Sequence, residues 1–327
     1  MRLLKNLLKV GISLGLFSYL VWISDPRQVL QVLGNVYSQD RLVYLFYALI
    51  AGFVSVGFLA WRWQIVLQAF HLEYGLSRLY GIYLIGMFFN NFLPTSIGGD
   101  IVRIYRVADE SDDRTLAFSS VIIERLLGIA ATLFLSILAL FYVSRFYRDS
   151  RLMIMTIVLF VAIIIFFVLM FRDRPFKFLL RLFDRFTLLR IGERFNKMIG
   201  AIHMLKDQRG VLLSVFVLSV LSQASIVLMN WALVWAFQLK VGLVYLFLVV
   251  PVTFLLTMLP SINGVGFRDG GYIFFLSKVG VANAGAISLS FMNVIIPMFI
   301  SIFGGFLFMV QRKKSKQKEI EAIEESL

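Results

Sequence analysis

Long apolar runs without a single charge set the pattern of this chain. Leu42 to Ala60, Leu79 to Gly99, Leu152 to Phe171, Gly210 to Leu239, Val241 to Phe267 and Val279 to Gln311 contain no Asp, Glu, Lys or Arg. Each is long enough to cross roughly 30 Å of hydrocarbon as a helix. Helices of a water-soluble core would carry a polar face, and these have almost none. Leu7 to Ile23 and Ser119 to Val143 read as further crossings, although a few charges interrupt them.

Two of the runs are broken by the same punctuation. Leu93-Pro94-Thr95-Ser96-Ile97-Gly98-Gly99-Asp100-Ile101-Val102-Arg103 is answered by Leu259-Pro260-Ser261-Ile262-Asn263-Gly264-Val265-Gly266-Phe267-Arg268, so that Ser-Ile-x-Gly-x-x-x-Arg recurs with one spacing. A proline and glycines inside a membrane-length run, followed by an arginine, are the sequence form of a duplicated transporter with broken helices.

Composition agrees, with 60% hydrophobic and 16% charged residues against about 45–50% and about 25% in soluble domains. The 32 basic residues outnumber 19 acidic ones, but their placement points to membrane ends rather than nucleic acid. Arg2, Lys5 and Lys9 precede the first run, Arg312 to Lys318 follow the last, and 172–209 is a basic stretch between them. Positive-inside bias makes all three cytoplasmic. Leu7 to Ile23 then goes out and Leu42 to Ala60 returns, leaving Trp61 to Arg78 inside. Parity holds only if the first broken segment is a hairpin entering from inside and the second a hairpin entering from outside. The expected fold is all-α: a polytopic inverted repeat of about six full crossings plus two broken re-entrant hairpins. Repeat one spans about 7–143 and repeat two about 152–311, in a single membrane domain, 1–314.

Within 172–209, Arg174, Lys177, Arg181 and Arg185 share one helical face and Phe176, Leu180 and Phe183 the other. This predicts an amphipathic linker helix at the inner headgroup level. The tail, 315–327, is short and charged, and its acidic end, Glu319 to Leu327, is expected to be disordered or frayed. Met1 to Ile23 lacks a small-residue cleavage site and is read as an uncleaved first crossing. The chain has no cysteine, and its two histidines lack ligand spacing. Thiol chemistry, metal sites and cofactors are therefore not expected, and no phosphate-cradling Gly-Lys-Ser/Thr signature points to ATP hydrolysis.

Ionisable residues at membrane depth cost about 2.5–3.5 kcal/mol each on insertion scales and need a reason to be there. Asp100 and Arg103 follow the first break, Arg268 and Asp269 the second, and Glu124-Arg125 sits inside one crossing. The three pairs are expected to face one cavity. Pro94 withholds a helical hydrogen bond, Gly98 and Gly99 let the backbone turn, and Ser96 is placed to cap a new half-helix. Such an N-terminus offers free N–H groups and a positive dipole end, which together with Arg103 and Arg125 suit a phosphate. Pro260, Ser261, Gly264 and Gly266 repeat the device. Plainer readings stand beside these: Arg106 as an interfacial anchor, Glu124-Arg125 as a structural ion pair, Asn90 and Asn91 as caps of broken backbone, and Phe88, Phe89, Phe274 and Phe275 as packing.

The run Asn90-Asn91-Phe92-Leu93-Pro94 through Asp100, then Arg103, Glu124-Arg125-Leu126-Leu127-Gly128, and Pro260 with Gly264-Val265-Gly266-Phe267-Arg268 resembles the lysylphosphatidylglycerol synthase transmembrane-region family of flippase-like membrane proteins. The resemblance covers about residues 10–310. It implies an integral bacterial or archaeal membrane protein related to the lipid-flipping half of the aminoacyl-phosphatidylglycerol synthases. The soluble aminoacyltransferase domain of those synthases is not in this sequence, so transfer of lysine is not implied. Where the family often has an arginine in the second half, the region near Met292-Asn293 offers only Asn293.

The sequence is therefore read as a lipid translocase of the cell membrane with cytoplasmic termini. It would move a phospholipid or polyprenyl-phosphate-linked headgroup, with Arg103, Arg125 and Arg268 on phosphate and Asp100 and Glu124 orienting those arginines or accepting a positively charged headgroup. Two rivals remain: an integral-membrane transferase using a lipid-linked donor with Asp100 or Glu124 as base, and a membrane partner of a separately encoded lipid-modifying enzyme, docking through 172–209.

Overall fold

The computed structural model describes residues 26–38, 40–92, 98–111, 113–147, 208–257 and 264–325, with single positions at 19, 158 and 161. Every regular element among them is an α-helix. In chain order these are α1 (Pro26–Ser38), α2 (Leu42–Ala69), α3 (Leu76–Phe92), α4 (Gly98–Ser111), α5 (Arg114–Tyr147), α6 (Arg209–Ala236), α7 (Leu243–Leu256), α8 (Phe267–Ser277) and α9 (Asn283–Glu325). Leu42–Ala69, Arg114–Val143, Arg209–Ala236 and Asn283–Gln311 are long and apolar enough to cross a membrane. They account for four of the expected crossings. The other two, the 172–209 linker and the Pro94 and Pro260 breaks themselves lie outside the described residues.

The broken segments are hairpins of short helices. α3 and α4 run antiparallel: Gly86 meets Gly99, the Arg103 guanidinium lies on the Tyr83 ring, and Tyr74 Oη donates to the Val107 carbonyl. A Cβ on Gly99 would stand 2.1 Å from the Gly86 oxygen, so only glycine permits this approach. α7 and α8 repeat the arrangement, with Gly271 against Thr253 and Leu256 and Tyr245 Oη on the Phe275 carbonyl. Gly264 turns there at φ 76°, and a Cβ on it would meet Thr257 at 2.6 Å.

An approximate two-fold axis relates the halves. α2 and α6 each have 28 residues and pack antiparallel: Tyr44 stacks on Trp235 at one end, and Val66 and Val215 share an apolar cluster at the other. Midway, the Ser55 and Ser222 hydroxyl oxygens are 3.0 Å apart, and each also reaches the other's carbonyl, at 3.3 and 3.5 Å. Reciprocal bonds between residues 167 apart in sequence mark the axis. The packing obeys it: α3 on α9 is matched by α7 on α5, α2 on α9 by α6 on α5, and α2 on α5 by α6 on α9.

The helix ends repeat as well. α2 closes with His71 at φ 60° and the Leu72 amide on the Leu67 carbonyl; α6 closes with Gln238 at φ 55° and the Leu239 amide on the Val234 carbonyl. This double-bonded stop with a left-handed residue satisfies carbonyls the helix would otherwise leave open. It grows from matching sequence, Ala69-Phe70-His71-Leu72 and Ala236-Phe237-Gln238-Leu239, each followed two residues on by Gly-Leu.

Three expectations change. α2 does not stop at Ala60 but continues as helix to Ala69, through residues placed inside; Arg62 and Trp63 are buried there because three helices close around them. α9 runs unbroken to Glu325, so the tail expected to fray extends the last helix; Lys, Glu, Gln and Ala are good helix formers. α1, which no periodicity announced, lays Val32, Leu33 and Val36 on the main apolar cluster and packs on α9.

Candidate functional site

Charged residues of the first half gather where α2, α4, α5 and α6 meet. Glu124, fully buried on α5, is held from two sides: Arg62 of α2 bonds its Oε1, and Arg103 of α4 bonds its Oε2 at 3.0 Å. Asp100, in the first turn of α4, takes Arg125 Nε on Oδ2 at 2.6 Å and faces Arg103 on Oδ1 at 3.6 Å. Arg62 also donates to Ser219 Oγ of α6 at 2.9 Å, which ties the cluster to the second half. Gly128 makes room, since a Cβ there would stand 2.6 Å from the Arg62 guanidinium.

Arg103 is positioned by aromatic rings. The Arg103 guanidinium carbon lies 4.2 Å from the Trp63 ring centre and 4.1 Å from that of Tyr83, and Trp63 Nε1 donates to Ser120 Oγ at 3.1 Å. Flat guanidinium on aromatic faces offsets part of the desolvation of a buried cation. Among the described residues three arginines face two carboxylates, which leaves one positive charge over at membrane depth. The Nε–H groups of Arg62 and Arg103 are buried without a hydrogen-bond partner among the described residues. Arg125, with its side chain 46% exposed, is the accessible edge of the group.

The second half builds a different cluster. Arg268 donates to Asp269 at 2.9 Å and to Ser290 Oγ at 3.0 Å, and Ser290 also bonds Asp269 Oδ1 at 2.5 Å. Its charges balance. Beside it Asn230 and Asn293 exchange amide bonds at 2.7 and 3.0 Å, and Tyr272 Oη donates to Asn230 Oδ1 at 3.0 Å. The three acid–base pairs thus sort into two groups on opposite sides of the Ser55–Ser222 contact, rather than meeting in one cavity. Arg268 and Asp269 meet Ser290 of α9, while Asn293, in the region where the family often has an arginine, is turned to Asn230 of α6.

At each half-helix start one backbone N–H is bonded within the protein. The Gly99 N–H donates to Asn90 Oδ1 at 2.7 Å and the Gly266 N–H to Asp269 Oδ2 at 2.8 Å. Asn91 stitches the hairpin to α9 through Ser301 Oγ and the Pro297 carbonyl. Arg106 stands apart, on Gln311 and the Phe308 ring. Gly98 opens α4 and is buried, Gly264 lines the turn into α8, and Ser96 and Ser261 lie outside the described residues. Arg62 is the residue that sequence reading missed. Its only signal was position: an arginine between two tryptophans just past an apolar run, in helical continuity with it.

These features define a polytopic α-helical membrane protein of two inverted repeats, each with a broken hairpin and a buried ionic cluster. The chain belongs to the family described as the lysylphosphatidylglycerol synthase TM region, whose model matches residues 6–304. This membrane-protein family is tied to lipid handling. Among its relatives are a UPF0104 membrane protein of Methanothermobacter thermautotrophicus, 26% identical over 73% of this chain and 77% of its own length, and one of Methanocaldococcus jannaschii, 25% identical over 84% and 87%.

Proposed function

We propose that the protein is a lipid translocase moving a phosphate-bearing lipid between leaflets, its headgroup engaging the first-half cluster while its tails stay in the bilayer. The observation that carries this reading is the excess positive charge of Arg62, Arg103 and Arg125 over Asp100 and Glu124, with guanidinium N–H groups left unpartnered. A phosphate arriving at Arg125 replaces Asp100 on an arginine fork and supplies the missing negative charge. The second cluster, neutral by itself, has no such deficit.

The same geometry favours translocation over group transfer. Both oxygens of Glu124 and both of Asp100 face arginines, so these carboxylates are engaged in ion pairs rather than turned toward a substrate hydroxyl as a base would be. In the orientation we propose, the α2 C-terminus and α6 N-terminus face the cytoplasm and the α6–α7 turn faces outward.

Reconstituted liposomes carrying fluorescent phosphatidylglycerol, with dithionite quenching of the outer leaflet, provide the test. Arg103→Ala is expected to slow exchange at least tenfold and Arg103→Lys to restore part of it, since lysine keeps the charge but not the bidentate fork. Arg268→Ala should cost less. Undiminished exchange by a folded Arg62→Ala/Arg103→Ala protein would defeat the reading.

A further inference from the structure

The two-fold axis makes the molecule its own control: a feature that the fold alone imposes should appear at both ends of the α2–α6 pair. One feature does not. At the end where α2 begins and α6 stops, Tyr44, Tyr47, Ala51, Trp231 and Trp235 line an apolar cavity of about 400 Å³. It adjoins a second cavity, of about 700 Å³, that shares Trp231 and Trp235 and adds Arg41, Gln238 and Lys240. Volumes of this order are those of small-ligand sites, roughly 300–1,000 Å³. Arg41 is held across the gap by a 2.8 Å bond to the Trp235 carbonyl, at the end of α6, and Lys240 is exposed on the turn that follows.

In the register set by Ser55 and Ser222, the opposite end places Val211 and Ser214 at the positions of Tyr44 and Tyr47, and Gln64 and Gln68 at those of Trp231 and Trp235. Gln208 stands for Arg41 and Glu73 for Lys240. The two helix stops match; at these matched described positions neither the aromatic wall nor the two cations recur. An aromatic slot leading to paired cations at a helix end, built at one side only, is an amphiphile site with a sign. We infer that this groove binds one anionic phospholipid of the adjacent leaflet, an acyl chain lying along Tyr44, Tyr47 and Trp231 and the phosphate between Arg41 and Lys240. Apolar burial retains the chain and the cations select the headgroup charge. The site is separate from the Arg62–Glu124 cluster, which lies beyond the Ser55–Ser222 contact, and it stands whether or not the protein translocates lipid.

Trp231 and Trp235 give the site its own reporter. The full chain is placed in phosphatidylcholine nanodiscs containing a minor, equal fraction of either dibrominated phosphatidylglycerol or dibrominated phosphatidylcholine, and tryptophan quenching is compared. Brominated phosphatidylglycerol is expected to quench at least twofold more. That excess should vanish in Trp231→Phe/Trp235→Phe and fall by at least half in Lys240→Gln, an exposed substitution that leaves the fold intact. Lys240→Arg should retain it. Equal quenching by the two lipids overturns the inference, as does an excess that survives in the double tryptophan variant or is unchanged in Lys240→Gln.

Discussion

Glu124→Gln tests the ionic cluster most directly, because the substitution keeps shape and removes only charge. In the native protein Glu124 is fully buried and answers both Arg62 and Arg103. Without its charge, three arginines face Asp100 alone and the excess doubles. Removing one partner of a buried pair costs about 3–5 kcal/mol, since the charge left behind is desolvated and unanswered. At about 2 °C per kcal/mol, the lower end for domains of 150–250 residues, the apparent Tm should fall by roughly 6–10 °C. Arg62→Met, which copies the buried Met229 found at the matching place on α6, leaves Glu124 with Arg103 as its remaining cation and should also destabilise. The double variant Arg62→Met/Glu124→Gln returns the cluster to its native net charge. It should therefore recover at least half of what Glu124→Gln loses. Detergent-solubilised protein, heated and followed by size-exclusion fluorescence, reads all four proteins side by side. A Glu124→Gln protein within about 2 °C of the parent, on the same scale, would refute the claim that this pair is energetically coupled. A double variant less stable than either single one would do the same.

The two-fold axis predicts that Ser55→Cys/Ser222→Cys, in a chain with no native cysteine, will cross-link readily under mild oxidant and shift on a non-reducing gel; failure to cross-link in folded protein would displace the axis. The proposed orientation predicts that a membrane-impermeant maleimide labels Asp40→Cys in intact cells but reaches Lys316→Cys only after permeabilisation. The reverse pattern would invert the topology.

Membrane class, the broken hairpins and the inverted order of the repeats are legible in the sequence because each rests on a one-dimensional quantity: the length of an uncharged run, a proline-glycine interruption, or the parity of basic loops. Asp100, Arg103 and Glu124 are legible for the same reason, as charges where hydropathy forbids them. Arg62 is not, because an arginine just past an apolar run has the composition of an interfacial anchor. Only the closure of α4, α5 and α6 around the last turns of α2 converts it into a buried partner of Glu124. Nor does the sequence reveal that the acid–base pairs form two clusters. The resemblance pointed to Met292-Asn293 as the counterpart of Glu124-Arg125, but α9 presents Ser290 to Arg268 and turns Asn293 toward Asn230. Hydropathy is a property of segments and survives without neighbours. Which face of a helix meets which partner depends on side chains far apart in the chain, and that was decided by packing about the Ser55–Ser222 axis.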